Sequence, residues 1–131
     1  MKQWLFVVPV FGFLLQTQAE LLDKKKIEED FRRVPLPELG ARAAQLVRST
    51  PVYNRQEAAV VAVETILRRS PAAAVTVVSA ISKAAPETAP AVVAAASRLS
   101  PASSEHIIIA ARNSAPNFRD QIRDIPHPSK P

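Results

Sequence analysis

Apolar and small residues recur through the middle of this chain at spacings of three, one and three, and prolines punctuate them at a fixed interval. Pro71, Pro86, Pro101 and Pro116 each follow the last by 15 residues. Units 56–70, 71–85, 86–100 and 101–115 therefore lie in register, with a decayed fifth from Pro116. Counting the proline as position 1, position 4 is Ala59, Ala74, Ala89 or Ser104, and position 7 is Ala62, Val77, Val92 or Ile107. Position 8 is Val63, Val78, Val93 or Ile108, and position 11 is Ile66, Ile81, Ala96 or Ala111. Such spacings return to one face of an α-helix, whereas a strand would require alternation, which no unit keeps.

The prolines set the ends of these helices. Proline is favoured at a helix start, where its missing N–H is not needed, and it drives the residue before it out of helical geometry. Ser70 and Ser100 precede prolines and are expected to cap the free amides. Arg68, Lys83 and Arg98 at position 13 suit the negative end of each helix, at roughly 0.3–1 kcal/mol apiece. Each unit should then hold about a dozen helical residues, or ~18 Å. Joints of two or three residues would pack neighbours antiparallel. The predicted fold is all-α: short antiparallel helices in an α-solenoid-like or irregular bundle arrangement, with about 15 residues per helix repeat. Pro90 would kink a helix begun at Pro86, so that helix is expected to start at Thr88 or Ala89 and to be the shortest.

Outside the units, 20–34 reads as a charged amphipathic helix with Leu22, Ile27 and Phe31 on one side and Asp23 near its start. Val34-Pro35-Leu36-Pro37 reads as an extended hinge. Pro37 to Arg48 is the next expected helix, burying Leu39, Ala43, Leu46 and Val47, with Gly40 explained by close helix contact. A connector is expected from Pro51 through Arg55, then a helix to Arg69 carrying a Glu64–Arg68 pair. Residues 1–19 read as a secretory signal: Lys2, an apolar run from Trp4 to Leu15, and the small-residue site Thr17-Gln18-Ala19. The domain organisation is then signal 1–19, amphipathic helix 20–34, helical repeat domain 35–125 and a Pro-rich disordered tail 126–131.

Composition narrows the function. The 131 residues contain no cysteine, which excludes disulfides and a lipid-modified cysteine, and no N-x-Ser/Thr site is present. Both absences suit bacterial export to the periplasm or medium. Net charge is +5, which favours anionic partners. The cations are spread out, and few aromatics accompany them, so nucleic acid is not an expected partner. His106 and His127 lack the clustered ligands that zinc needs. Ser103, Ser104, Glu105 and His106 fan out from one helical turn and read as helix-start chemistry rather than a catalytic set. No Gly-rich phosphate loop occurs, so no cofactor and no enzymatic activity are expected.

The units Pro71-Ala-Ala-Ala-Val-Thr-Val-Val-Ser-Ala-Ile-Ser-Lys-Ala-Ala and Pro86-Glu-Thr-Ala-Pro-Ala-Val-Val-Ala-Ala-Ala-Ser-Arg-Leu-Ser resemble those of exported bacterial proteins with alanine-rich, proline-punctuated helical repeats. The resemblance spans roughly residues 56–118 and implies fold and export, not a site. The expected working surface is a broad face lined by Arg42, Arg48, Arg55, Arg68, Arg69, Lys83, Arg98 and Arg112. The expected function is an exported, non-enzymatic interaction or scaffold module for a protein or anionic envelope component. The alternative is an amphipathic-helix protein on anionic membrane. Self-association would also complete a thin alanine and valine core.

Overall fold

A computed structural model describes residues 23–123 of the chain. The expected signal, Leu22, the tail and His127 lie outside the described residues. Seven α-helices follow one another: α1 (Lys24–Arg32), α2 (Leu39–Ser49), α3 (Val52–Arg69), α4 (Ala74–Ala84), α5 (Ala89–Leu99), α6 (Ser104–Ser114) and α7 (Arg119–Arg123). Single 3-10 turns at Leu36–Glu38, Pro71–Ala73, Pro86–Thr88, Pro101–Ser103 and Pro116–Phe118 lead into α2, α4, α5, α6 and α7. No strand is present among the described residues.

The corner between units is tighter than the predicted joint. One residue makes it: Ser70, Ala85, Ser100 or Ala115, with φ between −146° and −130°. Its N–H donates to the position-11 carbonyl at 2.8 Å in all four corners, and its carbonyl accepts the position-3 N–H at 2.9–3.1 Å. Proline then occupies the first place of a 3-10 turn, and the α-helix begins at position 4. The proline excludes helical geometry from the corner residue and needs no donor of its own. The expected serine caps do not form. Ser70 and Ser100 make no capping hydrogen bond, and the Ser100 hydroxyl donates instead to the Pro71 carbonyl at 3.1 Å. Alanine turns the same corner at 85 and 115, so backbone geometry rather than the hydroxyl sets it.

That lead-in also resolves Pro90. It is the second residue of α5, in the first α-turn, where proline is tolerated. As expected the helix starts at Ala89, but its 11 residues equal those of α4 and α6, so it is not the shortest. In the N-terminal part, α1 is shorter than 20–34 and is capped by the Asp23 carboxylate, which accepts the Lys26 N–H at 3.1 Å. Within the expected hinge Pro35 is extended, but Pro37 lies within a 3-10 turn and α2 begins at Leu39. No connector separates Pro51 from Arg55: Pro51 ends the joint and α3 runs from Val52, because nothing after that proline breaks a helix.

Hydrogen bonds give the helix directions. The start of α3 meets the lead-in to α5 through Arg55 and Glu87 at 3.5 Å, and Glu64 farther along α3 meets Arg98 near the end of α5 at 2.7 Å. These two helices therefore run parallel. The Pro71–Ser100 bond and the Ser79–Ser114 bond at 2.9 Å show the same for α4 and α6. From α2 onward each helix packs on the next and on the one after it, most heavily in the pairs α2–α4, α3–α5 and α4–α6, while α1 packs chiefly on α3. The even helices make one layer, the odd helices the other, and successive helices alternate in direction, as a two-layer α-solenoid requires. The stripe at positions 4, 7, 8 and 11 is buried throughout, with only Ile108 half-buried. Position 12 joins it through Leu67, Ser82 and Ser97, because a helix held from two sides buries a wider arc. The expected Glu64–Arg68 pair gives way to Glu64–Arg98, since a cation on the parallel neighbour lies closer to the carboxylate.

Gly40 faces α4 at close approach, as expected. A methyl at its Cα would meet the Thr76 methyl at 3.4 Å and Ala80 Cβ at 3.6 Å, which is van der Waals contact without overlap. Its φ is not positive. Gly40→Ala is therefore expected to raise stability by about 0.5–1 kcal/mol through helix propensity. Thermal melting would show a gain of about 4 °C. Gly40→Leu, which must push α4 away, is expected to lower the melting temperature; a Leu variant as stable as the parent would show that the contact is slack.

Candidate functional site

The alternation of helix direction divides the eight candidate cations. Helix C-termini of the odd layer share one edge, which carries Arg32 of α1, Arg68 and Arg69 of α3 and Arg98 of α5. Those of the even layer share the opposite edge, with Arg48 of α2, Lys83 of α4 and Arg112 of α6. One face lined by all eight does not exist, because position 13 falls on alternate edges in successive units.

Three of the eight hold the fold together. Arg55 donates from Nε to the carbonyls of Val47 at 3.1 Å and Thr50 at 3.3 Å, and from Nη2 to Thr50 at 3.2 Å. It closes the C-terminus of α2 and pairs with Glu87 at 3.5 Å. Arg69 donates from Nη1 to the carbonyls of Phe31 at 2.7 Å and Val34 at 3.2 Å, so it fastens the end of α1. Arg98 is the partner of Glu64. Arg112 is half-buried, with its Nε enclosed and without a hydrogen-bond partner. Arg42, Arg48, Arg68 and Lys83 are exposed. The Ser103–His106 group also separates: Ser104 is buried in alanine's place at position 4, while Glu105 and His106 are exposed.

A concavity lies between α1 and α3. The pairs α2–α4, α3–α5 and α4–α6 pack tightly, since position 4 supplies a small residue at the contact; α1 has no alanine, glycine or serine, and its contact with α3 is lighter than any of those three. It docks through Ile27 and Phe31 alone, with Val34 buried just beyond its end. A cleft of about 440 Å³ opens on the α3 side, and a smaller one of about 180 Å³, bordered by Arg42 and Leu46, opens on the α2 side. The larger falls within the usual range of ligand sites, roughly 300–1,000 Å³. Phe31, Leu39 and Ile66 form its floor, and Glu28, Arg32 and Arg68 stand on its rim. Among the described residues, neither rim arginine has a side-chain hydrogen bond or ion pair. Of this site the sequence reading named Arg68 and Arg69 and missed Arg32. The available signal was the lack of any small residue from Lys24 to Arg32, which forbids close approach. Among the described residues, no group of three or more His, Asp or Glu gathers as metal ligands would, and no helix is long and apolar enough to cross a membrane.

Comparison of the chain with protein-family models, curated proteins and solved structures gives no match.

Proposed function

We propose that the chain is an exported, non-enzymatic helical-repeat module that binds a protein or other anionic component of the cell envelope. The observation that carries this reading is a set of exposed cations, among them Arg32, Arg42, Arg48, Arg68 and Lys83, without side-chain partners among the described residues, on a two-layer stack whose apolar stripe is already buried. A stack of this kind offers its outer faces and edges for contact. Export rests on residues 1–19 of the sequence. The test is retention of envelope components on the immobilised full chain against a charge-matched scrambled chain. A discrete set should be held by the native chain alone and released as salt rises to about 0.5 M, where screening shortens to a few ångströms. Identical recovery on both chains would remove the proposal.

Adsorption to anionic membrane is the second reading. It is favoured by Val52 and Tyr53, 71% and 70% exposed at the first turn of α3, with Arg48 just before them. An aromatic–apolar tip beside a cation suits a lipid–water interface. Sedimentation with phosphatidylglycerol vesicles tests it: Val52→Ser with Tyr53→Ser should abolish co-sedimentation.

A further inference from the structure

We infer that the α1–α3 cleft is a docking site for an acidic peptide segment of another protein, its carboxylates held by Arg32 and Arg68. The inference rests on the interaction reading above and names the site within it. Arg32 and Arg68 stand on facing walls of one cleft, at the C-terminal ends of parallel helices, and neither side chain has an acceptor among the described residues. Arg69, behind them, holds the Phe31 and Val34 carbonyls, so it keeps the α1 wall in place and adds positive charge. Guanidinium groups on two walls suit carboxylates entering between them, since each can donate two parallel N–H bonds.

The floor decides between a peptide and a lipid chain. Phe31, Leu39 and Ile66 are 5%, 1% and 1% exposed. They offer little further apolar area, and at ~25 cal/mol per Å² an acyl chain would gain little there. Binding strength must therefore come from charge and hydrogen bonds. The lining carries those in mixed form: Glu28 and Thr65 line the cleft with the two arginines, a pattern matched by polypeptide amides and carboxylates rather than by a lipid tail.

The test uses the full chain and a short fluorescein-labelled peptide of glutamate and leucine, followed by fluorescence anisotropy. A glutamine-for-glutamate version of the peptide and phosphatidylglycerol vesicles complete the set. The glutamate peptide should bind and the glutamine peptide should not. Charge reversal at the cleft, Arg32→Glu with Arg68→Glu, should weaken binding at least about tenfold. The same charge change at the opposite edge, Arg48→Glu with Lys83→Glu, should weaken it less than about threefold, as expected for long-range steering alone. Equal weakening by the two pairs, or none from the cleft pair, overturns the inference. Loss confined to the opposite-edge pair overturns the cleft while leaving the interaction reading intact, and failure of the glutamate peptide to bind overturns the inference outright. Vesicle binding that is lost only in the cleft pair would assign the site to lipid instead. Should the cleft pair lose its helical circular dichroism, Glu28→Gln replaces it. Removing that rim carboxylate should tighten peptide binding about threefold, and an unchanged or weaker affinity would overturn the inference.

Discussion

Ile81→Ala is expected to destabilise the protein by about 2–5 kcal/mol, read as a fall in the urea midpoint at unchanged slope. Ile81 is fully buried at position 11 of α4, the helix packed by α2 and α6 in its own layer and by α3 and α5 across the core. The surrounding core is largely alanine and valine, whose short side chains cannot reach into the space that isoleucine would leave. The cavity therefore persists, and its lining loses contacts outright. A domain of this size is stable by about 5–15 kcal/mol in all, so one such change removes a large share. A loss below about 1 kcal/mol would mean that α4 collapses onto its neighbours and that the stack is far more plastic than its packing implies.

Arg55→Ala is expected to lose about 2–3 kcal/mol, although the side chain reads from sequence as a surface cation. Its side chain is 23% exposed and supplies donors to the part-buried end of α2, where the Thr50 carbonyl takes bonds from both Nε and Nη2. Truncation leaves that carbonyl unpaired and removes a positive group from the negative end of a helix. Two controls locate the effect. Glu87→Gln, which breaks only the ion pair, should lose less than about 1 kcal/mol, in keeping with a partly solvated pair. Arg55→Lys retains the charge without the fork and should recover less than half of the loss. If Glu87→Gln costs as much as Arg55→Ala in thermal melts, the ion pair and not the capping would be the source.

These two residues mark how much was legible in the chain. Ile81 is visible at once, because helical spacing assigns it to the stripe that the proline interval isolates. Arg55 is not, since its acceptors belong to residues 47–50 and its acid to residue 87. The same division runs through the rest. Pro90 was read correctly as lying before or within a first turn, because proline geometry is local. The one-residue corner was not foreseen, because a 3-10 lead-in and an α-helix begun at the proline place apolar residues on nearly the same face. Glu64 was matched to Arg68 one turn away, whereas its bond is made to Arg98 on another helix. Arg32 was not among the candidate cations; its place on the rim beside Arg68 depends on where α1 docks.

The sequence alone determined the helical class, the 15-residue unit, the buried stripe and the breaks at Pro71, Pro86, Pro101 and Pro116. All of these follow from side-chain period and from proline, forces that act within a few residues. Only the tertiary structure decided which edge each cation occupies, which arginines are drawn into closing helix ends, and that an alanine-free α1 stands away from α3 to leave a cleft. Arg69 and Arg98 find their partners on helices more than thirty residues away, meeting in alternating directions, and Arg55 finds its own only because α3 folds back on the end of α2; no local pattern carries either.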